Sequence, residues 1–212
     1  GKYCDAVTAL GMSADAVATF GGSVKIVYTP VHGTGYMPVT TVLSHMGISV
    51  TVVPEQAVPD CEFSTVRVPN PEEADTLSLG VALADEIGSD IVIGTDPDAD
   101  RMGVAVRDND GKFVLLTGNQ IGVLMEEYIL RRKQETGTLP ANGAVVKTIV
   151  TTELARKVAD DYGVTTFDVL TGFKFIGEKI KEWETPANIP ISSGSRRATA
   201  RWSARTPATR TP

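Results

Sequence analysis

The segment Gly94-Thr95-Asp96-Pro97-Asp98-Ala99-Asp100-Arg101-Met102-Gly103 sets three carboxylates at alternate positions, directly after a short apolar run. Acids this close repel one another unless a positive charge offsets them. A hard cation does so, because Mg²⁺ takes oxygen ligands and is commonly held by one or two carboxylates together with a substrate phosphate. Asp96, Asp98 and Asp100 are therefore the expected metal ligands, and Arg101 beside them is suited to bidentate phosphate contact. A calcium loop of the EF-hand kind fails on register. Counted from Asp96, it would need Gly in place of Arg101 and Glu in place of Arg107. The plain alternative is an acidic, solvated turn.

Two more segments carry candidate chemistry. Thr171-Gly172-Phe173-Lys174 stands between a strand pattern and a helix pattern, at the carboxyl end of a strand, where α/β folds place ligands. Lys174 there can hold a phosphate or move a proton near a sugar hydroxyl, and its plain alternative is a solvated lysine on a first helical turn. His32-Gly33-Thr34-Gly35 likewise follows a strand and precedes a helix. Its glycines allow backbone N–H groups close to an anion or a neighbouring loop, but it lacks the full dinucleotide fingerprint. A tight turn in which His32 makes structural hydrogen bonds explains it equally well.

Alternating strand and helix patterns hold these segments. Strands are expected at 24–28, 48–53, 91–93, 144–147 and 164–170, with a hairpin pairing 102–106 and 113–116 around Asp108-Asn109-Asp110-Gly111. A short helix is expected over 38–46. Asn70-Pro71-Glu72-Glu73 reads as a helix start, followed by Ala74, Leu77, Val81 and Ala84 at helical spacing and a stop at Gly88. Ile121, Leu124, Met125, Tyr128 and Ile129 predict one apolar helix face. Thr152 is placed to cap a helix carrying Leu154, Val158 and Tyr162, and Phe173, Ile176, Ile180 and Trp183 line another. This alternation predicts two α/β units with mixed, largely parallel sheets.

Composition sets the outer bounds. The 212 residues are 42% hydrophobic and 22% charged, an ordinary globular mixture able to build a core. No apolar run approaches the roughly 18–20 residues of a membrane span and nothing resembles a signal peptide, so no membrane partner is expected. Cys4 and Cys61 form no metal-spaced cluster and no disulfide scaffold, which points to the reducing cytoplasm. A net charge of −6 argues against nucleic acid as a partner.

Taken together, Thr29-Pro30-Val31-His32-Gly33-Thr34-Gly35, Asn70-Pro71-Glu72-Glu73, Asp96-Pro97-Asp98-Ala99-Asp100-Arg101 and Thr171-Gly172-Phe173-Lys174-Phe175-Ile176-Gly177 resemble the α-D-phosphohexomutase family. The bacterial phosphoglucomutase/phosphomannomutase branch is the nearest, and the similarity runs from about residue 26 to 181. The resemblance implies two phosphohexomutase-type α/β domains, the second truncated. Residues 1–22 would end a preceding domain or linker, 23–117 would be the metal-loop domain, and 118–190 an incomplete sugar-loop domain. It implies an isomerase that interconverts hexose 1-phosphate and hexose 6-phosphate through a phosphoserine and a bisphosphate intermediate. Glucose phosphates or mannose phosphates would be the substrates and Mg²⁺ the cofactor. Asp96, Asp98 and Asp100 would hold that metal against the phosphoserine, Arg101 would lie by the phosphate, and Lys174 would stand near the reacting hydroxyl. Thr171, Gly172, Lys174 and His32 would touch substrate. The 212 residues contain neither the family's serine loop nor its phosphate-binding domain, so this chain alone is expected to be inactive. Two other readings remain: a haloacid-dehalogenase-like phosphotransferase with Asp96 as nucleophile, and a non-catalytic Mg²⁺-binding fragment.

The tail departs from this pattern. Residues 191–212 hold five arginines and no acid or lysine. Without them Lys+Arg falls from 20 to 15 while Asp+Glu stays at 26, so residues 1–190 carry −11. Where the family continues into a Phe-Gly-Phe-Glu-Glu-Ser-Tyr-Gly loop and then Arg-Asp-Lys-Asp-Ala, this chain has Ser192-Ser193-Gly194-Ser195-Arg196-Arg197. Back-translated with chosen third bases and moved by one base, 194–199 rereads as Leu-Glu-Glu-Ser-Tyr-Gly and 207–211 as Arg-Asp-Lys-Asp-Ala. A frame shift between about 187 and 191 would account for both, and the tail would then be disordered for want of apolar anchors. The plain alternative is a natural basic tail that binds an acidic partner.

Overall fold

The computed structural model describes residues 1–184 and 199–201. The chain divides into two compact units, Gly1–Thr117 and Gly118–Pro212.

In the first unit, strand β1 (Ile26–Thr29) is buried along its whole length, as its β-branched and aromatic side chains require. It lies between two parallel partners, β2 (Val50–Val52) and β3 (Ile91–Thr95). Strands β4 (Met102–Arg107) and β5 (Phe113–Leu115) extend the sheet antiparallel beyond β3, giving the order β2-β1-β3-β4-β5. The hairpin between them is closed by the Asp108 carboxylate, which accepts the N–H groups of Asp110 and Lys112 at 2.9 Å each. Helices α1 (Lys2–Thr8) and α2 (Ala14–Phe20) precede the sheet, and α1 packs on α3 (Tyr36–His45). A single turn, α4 (Pro54–Ala57), follows β2. The longer α5 (Ala74–Ile87) lays Leu77 and Ala84 against Val27, Val53, Val92 and Ala105 to form the core. It ends at Gly88, whose φ of +64° is the left-handed cap that glycine favours.

The start of α5 differs from the sequence expectation. The helix begins at Ala74, with Glu73 in extended geometry at its N-cap. Asn70 caps a turn instead: its Oδ1 accepts the Glu72 N–H at 3.1 Å and its carbonyl accepts the Glu73 N–H at 3.0 Å. Capping residues serve turns and helices by the same hydrogen bond, so the pattern alone does not separate them.

The second unit holds a parallel sheet in the order β7-β6-β8, from β6 (Ala144–Thr148), β7 (Thr165–Val169) and β8 (Thr199–Arg201). Of the expected disordered tail, 191–198 and 202–212 lie outside the described residues, and Thr199–Arg201 is the strand paired with β6. Around the sheet stand α6 (Gly118–Glu135), α7 (Glu153–Asp161) and α8 (Phe173–Glu184). Thr152 caps α7 as its sequence suggests, accepting the Leu154 N–H at 3.3 Å. Ile176 packs with Val146 and Val169, with Phe175, Ile180 and Trp183 alongside.

The buried face of α6 is only partly the expected one. Ile121, Gly122, Glu126 and Leu130 face inward, whereas Leu124 and Met125 are exposed. Hydrophobicity points away from this face because an acid sits at its centre. Glu126 is 3% exposed, and neither carboxylate oxygen has a hydrogen-bond partner among the described residues. Burial raises its pKa to about 7, against some opposition from the Lys147 charge. Lys147 is itself buried on β6, where its ammonium lies 2.7 Å from Glu153 and 2.9 Å from Asp168 and donates to the Thr151 carbonyl. Burial alone would depress that ammonium, but the bonds to Glu153 and Asp168 outweigh it and hold its pKa above the ordinary lysine value. Arg156 pairs with the same two acids.

A raised carboxyl pKa means the folded chain binds a proton more tightly than the unfolded one. The Glu126 contribution is thus full below the ordinary value of 4.5 and is lost as pH rises through about 7. Urea unfolding of the second unit should show stability falling by on the order of 2–3 kcal/mol between about pH 5 and pH 8. Glu126→Gln should flatten that slope; a slope equal to that of the parent chain would refute the assignment.

Candidate metal centre

The order β2-β1-β3 makes the chain leave β1 toward β2 and return across it to β3. The loops at the carboxyl ends of β1 and β3 therefore open a crevice at a topological switch point, the usual ligand position in open α/β sheets. Thr29 pairs with Gly94 in the β1–β3 ladder, so the loops at 30–35 and 96–101 emerge side by side. These loops carry two of the segments singled out in the sequence.

In the loop after β3, one carboxylate oxygen from each of Asp96, Asp98 and Asp100 lies within 4.8 Å of the others. Asp96 is 1% exposed at the end of the strand, while Asp98 and Asp100 reach into solvent. The turn is tied internally by the Ala99 N–H to the Asp96 carbonyl at 2.9 Å and by the Arg101 N–H to Asp96 Oδ1 at 3.0 Å. Ala99 adopts a left-handed φ of +57°, which turns the loop back so that Asp98 and Asp100 fall on one side. Burial, with repulsion from Asp98 and Asp100, raises the Asp96 pKa, although its bond from the Arg101 N–H and the Arg101 charge pull the other way. Arg101 Nε lies 2.9 Å from Asp96 Oδ2 and 3.7 Å from Asp100 Oδ1. It is not aligned as a hydrogen-bond donor, so the contact with Asp96 is an ion pair without directed bonding. An all-oxygen donor set, three negative charges and a buried anchor fit a hard divalent cation.

The loop after β1 braces this one. The Thr34 N–H and Oγ1 both donate to the Pro97 carbonyl, at 2.8 and 3.1 Å. Gly33 packs on the Pro97 backbone with no room for a Cβ. His32 is 7% exposed and both ring nitrogens are engaged, Nδ1 with the Val58 carbonyl and Nε2 with Thr65 Oγ1, each at 2.7 Å. Of the two sequence readings of this segment, the close approach to a neighbouring loop and the structural histidine are both present. The partners Gln56, buried, and Thr65, half-buried, had no sequence signal, since each is an isolated polar residue outside any motif.

In the second unit, Thr171 and Gly172 join β7 to α8, and Lys174 is exposed on the first turn of that helix. Its ammonium sits 4.8 Å from the centroid of the Phe175 ring. The Lys147 cluster is a second feature of this unit and follows no motif. Among the described residues no helix is long and apolar enough to cross a membrane.

Comparison with known proteins matches residues 1–111 to the family model "Phosphoglucomutase/phosphomannomutase, alpha/beta/alpha domain II" and residues 117–189 to the corresponding domain III. A phosphoglucomutase of Staphylococcus epidermidis is 38% identical over 177 residues, covering 82% of this chain and 32% of that protein. The crystal structure of a Thermus thermophilus protein described as a phosphomannomutase superposes with a TM-score of 0.63 at 26% identity, covering 86% of this chain and 38% of that one. A Burkholderia thailandensis phosphoglucomutase/phosphomannomutase family protein shares the fold at 20% identity, with a TM-score of 0.60, over 80% of this chain and 36% of its own. The chain spans about a third of the length of these relatives.

If the carboxylates bind a cation only when folded together, the ion must stabilise the first unit. Mg²⁺ at about a hundredfold excess over its Kd should raise the unfolding free energy by about 2.7 kcal/mol. Asp96→Asn should abolish the increment, and chelation with EDTA should reverse it in the parent chain. Equal Mg²⁺ stabilisation of parent and variant in a thermal melt would exclude the carboxylate site.

Proposed function

The chain belongs to the phosphoglucomutase/phosphomannomutase family, with its domains II and III, and we propose that it supplies the metal loop and part of the sugar site of a phosphohexomutase. The observation that carries this reading is the convergence of Asp96, Asp98 and Asp100 within 4.8 Å, with Arg101 beside them, at the switch point of the first sheet. The reaction is phosphoryl transfer between the 1- and 6-hydroxyls of a hexose phosphate, glucose or mannose, through a phosphoserine in another part of the protein and a sugar bisphosphate. The free cysteines, Cys4 and Cys61, support placing that reaction in the reducing cytoplasm.

Asp96, Asp98 and Asp100 would hold Mg²⁺, which when bound neutralises charge on the moving phosphoryl group. Asp96 anchors the set, because its burial and its bond from the Arg101 N–H keep it from swinging away. Arg101 orients phosphate oxygens with the fork of its guanidinium. Thr171 and Gly172 shape the turn that presents Lys174, which binds the phosphate or moves the hydroxyl proton near the reacting oxygen. His32 is given a bracing role instead of a substrate contact, since neither ring nitrogen is spare. The family match argues against a haloacid-dehalogenase-like role, in which the Asp96 carboxylate would attack phosphorus in line.

The domain III match stops at residue 189, next to the stretch where acids cease. This supports a frame shift at 187–191, with 191–212 read out of frame. Resequencing the coding DNA from the Lys181 codon past Pro212 tests it directly. With the frame restored, the product should convert glucose 1-phosphate to glucose 6-phosphate in a Mg²⁺-dependent coupled assay, and Asp96→Asn should lower kcat/KM at least about 100-fold. The 212-residue chain itself should not turn over. Turnover by that chain would overturn the proposed inactivity, and a clean frame ending in a stop codon would make the basic tail genuine.

A further inference from the structure

Pro97 stands between the first two acids of the loop and, lacking an N–H, can be held by the backbone only through its carbonyl. That carbonyl accepts two hydrogen bonds, both from Thr34. We infer that Thr34 is a positioning residue for the carboxylate loop: the paired bonds from its N–H and hydroxyl to Pro97 fix the spacing of Asp96 and Asp98 and so set the affinity for a divalent cation. The inference rests on reading the loop as a metal centre.

A brace works only if its own mounting is stiff, and the residues behind Thr34 provide that. The His32 N–H donates to the Gln56 carbonyl at 2.8 Å. The Val58 carbonyl can only accept, so His32 Nδ1 donates to it, while Nε2 is paired with the Thr65 hydroxyl. Gln56, fully buried, accepts from Thr29 Oγ1 at 2.6 Å and donates to Thr65 Oγ1 at 3.2 Å. The stretch carrying Val58 and Thr65 is ordered in turn by Asp60, whose carboxylate accepts the N–H groups of Glu62 and Ser64 and the Ser64 hydroxyl. Val31 and His32 hold left-handed φ values of +46° and +61°, which side chains with a Cβ adopt only when their surroundings enforce it. Thr34 itself is exposed, but moving it would displace the buried His32 two residues away and strain its part-buried bonds and the buried Thr29–Gln56 bond behind them. The Gly33 contact sets the distance of approach, since any side chain there would strike the Pro97 backbone.

Thr34→Val keeps the shape and removes the hydroxyl; Thr34→Ser keeps the hydroxyl. Two measurements on the 212-residue chain separate the possibilities: amide hydrogen exchange at Ala99 and Arg101 in EDTA, and calorimetric titration with Mg²⁺. Thr34→Val should speed exchange at both amides about fivefold and weaken Mg²⁺ binding by a similar factor, the loss of one hydrogen bond. Exchange at Val92, in the core of β3, should not change, and Thr34→Ser should restore both values. Unaltered loop exchange in Thr34→Val, or failure of Thr34→Ser to rescue, would overturn the inference. Equal Mg²⁺ affinity in all three forms would overturn the positioning role and leave the metal centre intact. Faster exchange in a chain that binds no Mg²⁺ in any form would instead remove the metal reading and leave the clasp as a device that orders the loop.

Discussion

The first unit is organised around a repulsion. Three carboxylates converge at the end of β3, and the innermost, Asp96, is almost wholly removed from water. Burying one charge beside two others of the same sign is unfavourable unless partners are fixed in advance. Those partners are local: the Arg101 N–H on one carboxylate oxygen, the Arg101 guanidinium near the other, and a turn closed from Ala99 to Asp96. The requirement extends outward, because a loop of like charges splays open unless something outside it holds its shape. The neighbouring loop does so at Pro97. The switch in strand order is what brings the two loops together, so the topology of the sheet and the chemistry of the site are one constraint.

This constraint explains why the site is legible in the sequence while its support is not. Alternate aspartates after an apolar run have few structural uses, and the strand before them is marked by its β-branched residues. The His32-Gly33-Thr34-Gly35 segment is ambiguous because a glycine serves equally at a turn, near an anion or against another backbone. Only the folded chain selects the last, by placing Pro97 against Gly33. Gln56 and Thr65 carry no pattern because their roles depend on partners at 29, 32 and 76, brought together by folding. Asn70 is misread from sequence for a related reason. The same side-chain bond caps a turn or a helix, and the backbone geometry at 71–73, which the pattern does not specify, decides between them.

The second unit shows the converse failure. Strands at 144–148 and 165–169, and a helix beginning at 173, follow from periodicity. The interior charges do not. Lys147 is nearly inaccessible, yet it lies in a stretch that reads simply as strand, and its neutralisation requires Glu153 from α7 and Asp168 from β7. Apolar counting on α6 selects Leu124 and Met125 over the face that carries Glu126. An interior acid that titrates near neutrality is invisible to any scheme that equates burial with hydrophobicity.

Lys174 stands where the field of the backbone is against it. A helix N-terminus carries partial positive charge from its unpaired N–H groups, and a cation there is opposed by up to about 1 kcal/mol. The first turn of α8 holds no acid to relieve this, and Lys174 lies exposed with its ammonium 4.8 Å from the centroid of the Phe175 ring. Two other lysines of the unit are treated differently: Lys147 is buried against two acids and Lys179 is paired with Glu182. A lysine placed where the backbone already disfavours it, after the kind of strand-to-helix junction that binds ligands, is stabilised by an anion more than by water. Each unit thus carries its own electrostatic demand: three converging carboxylates in the first, and a lysine at a helix N-terminus in the second.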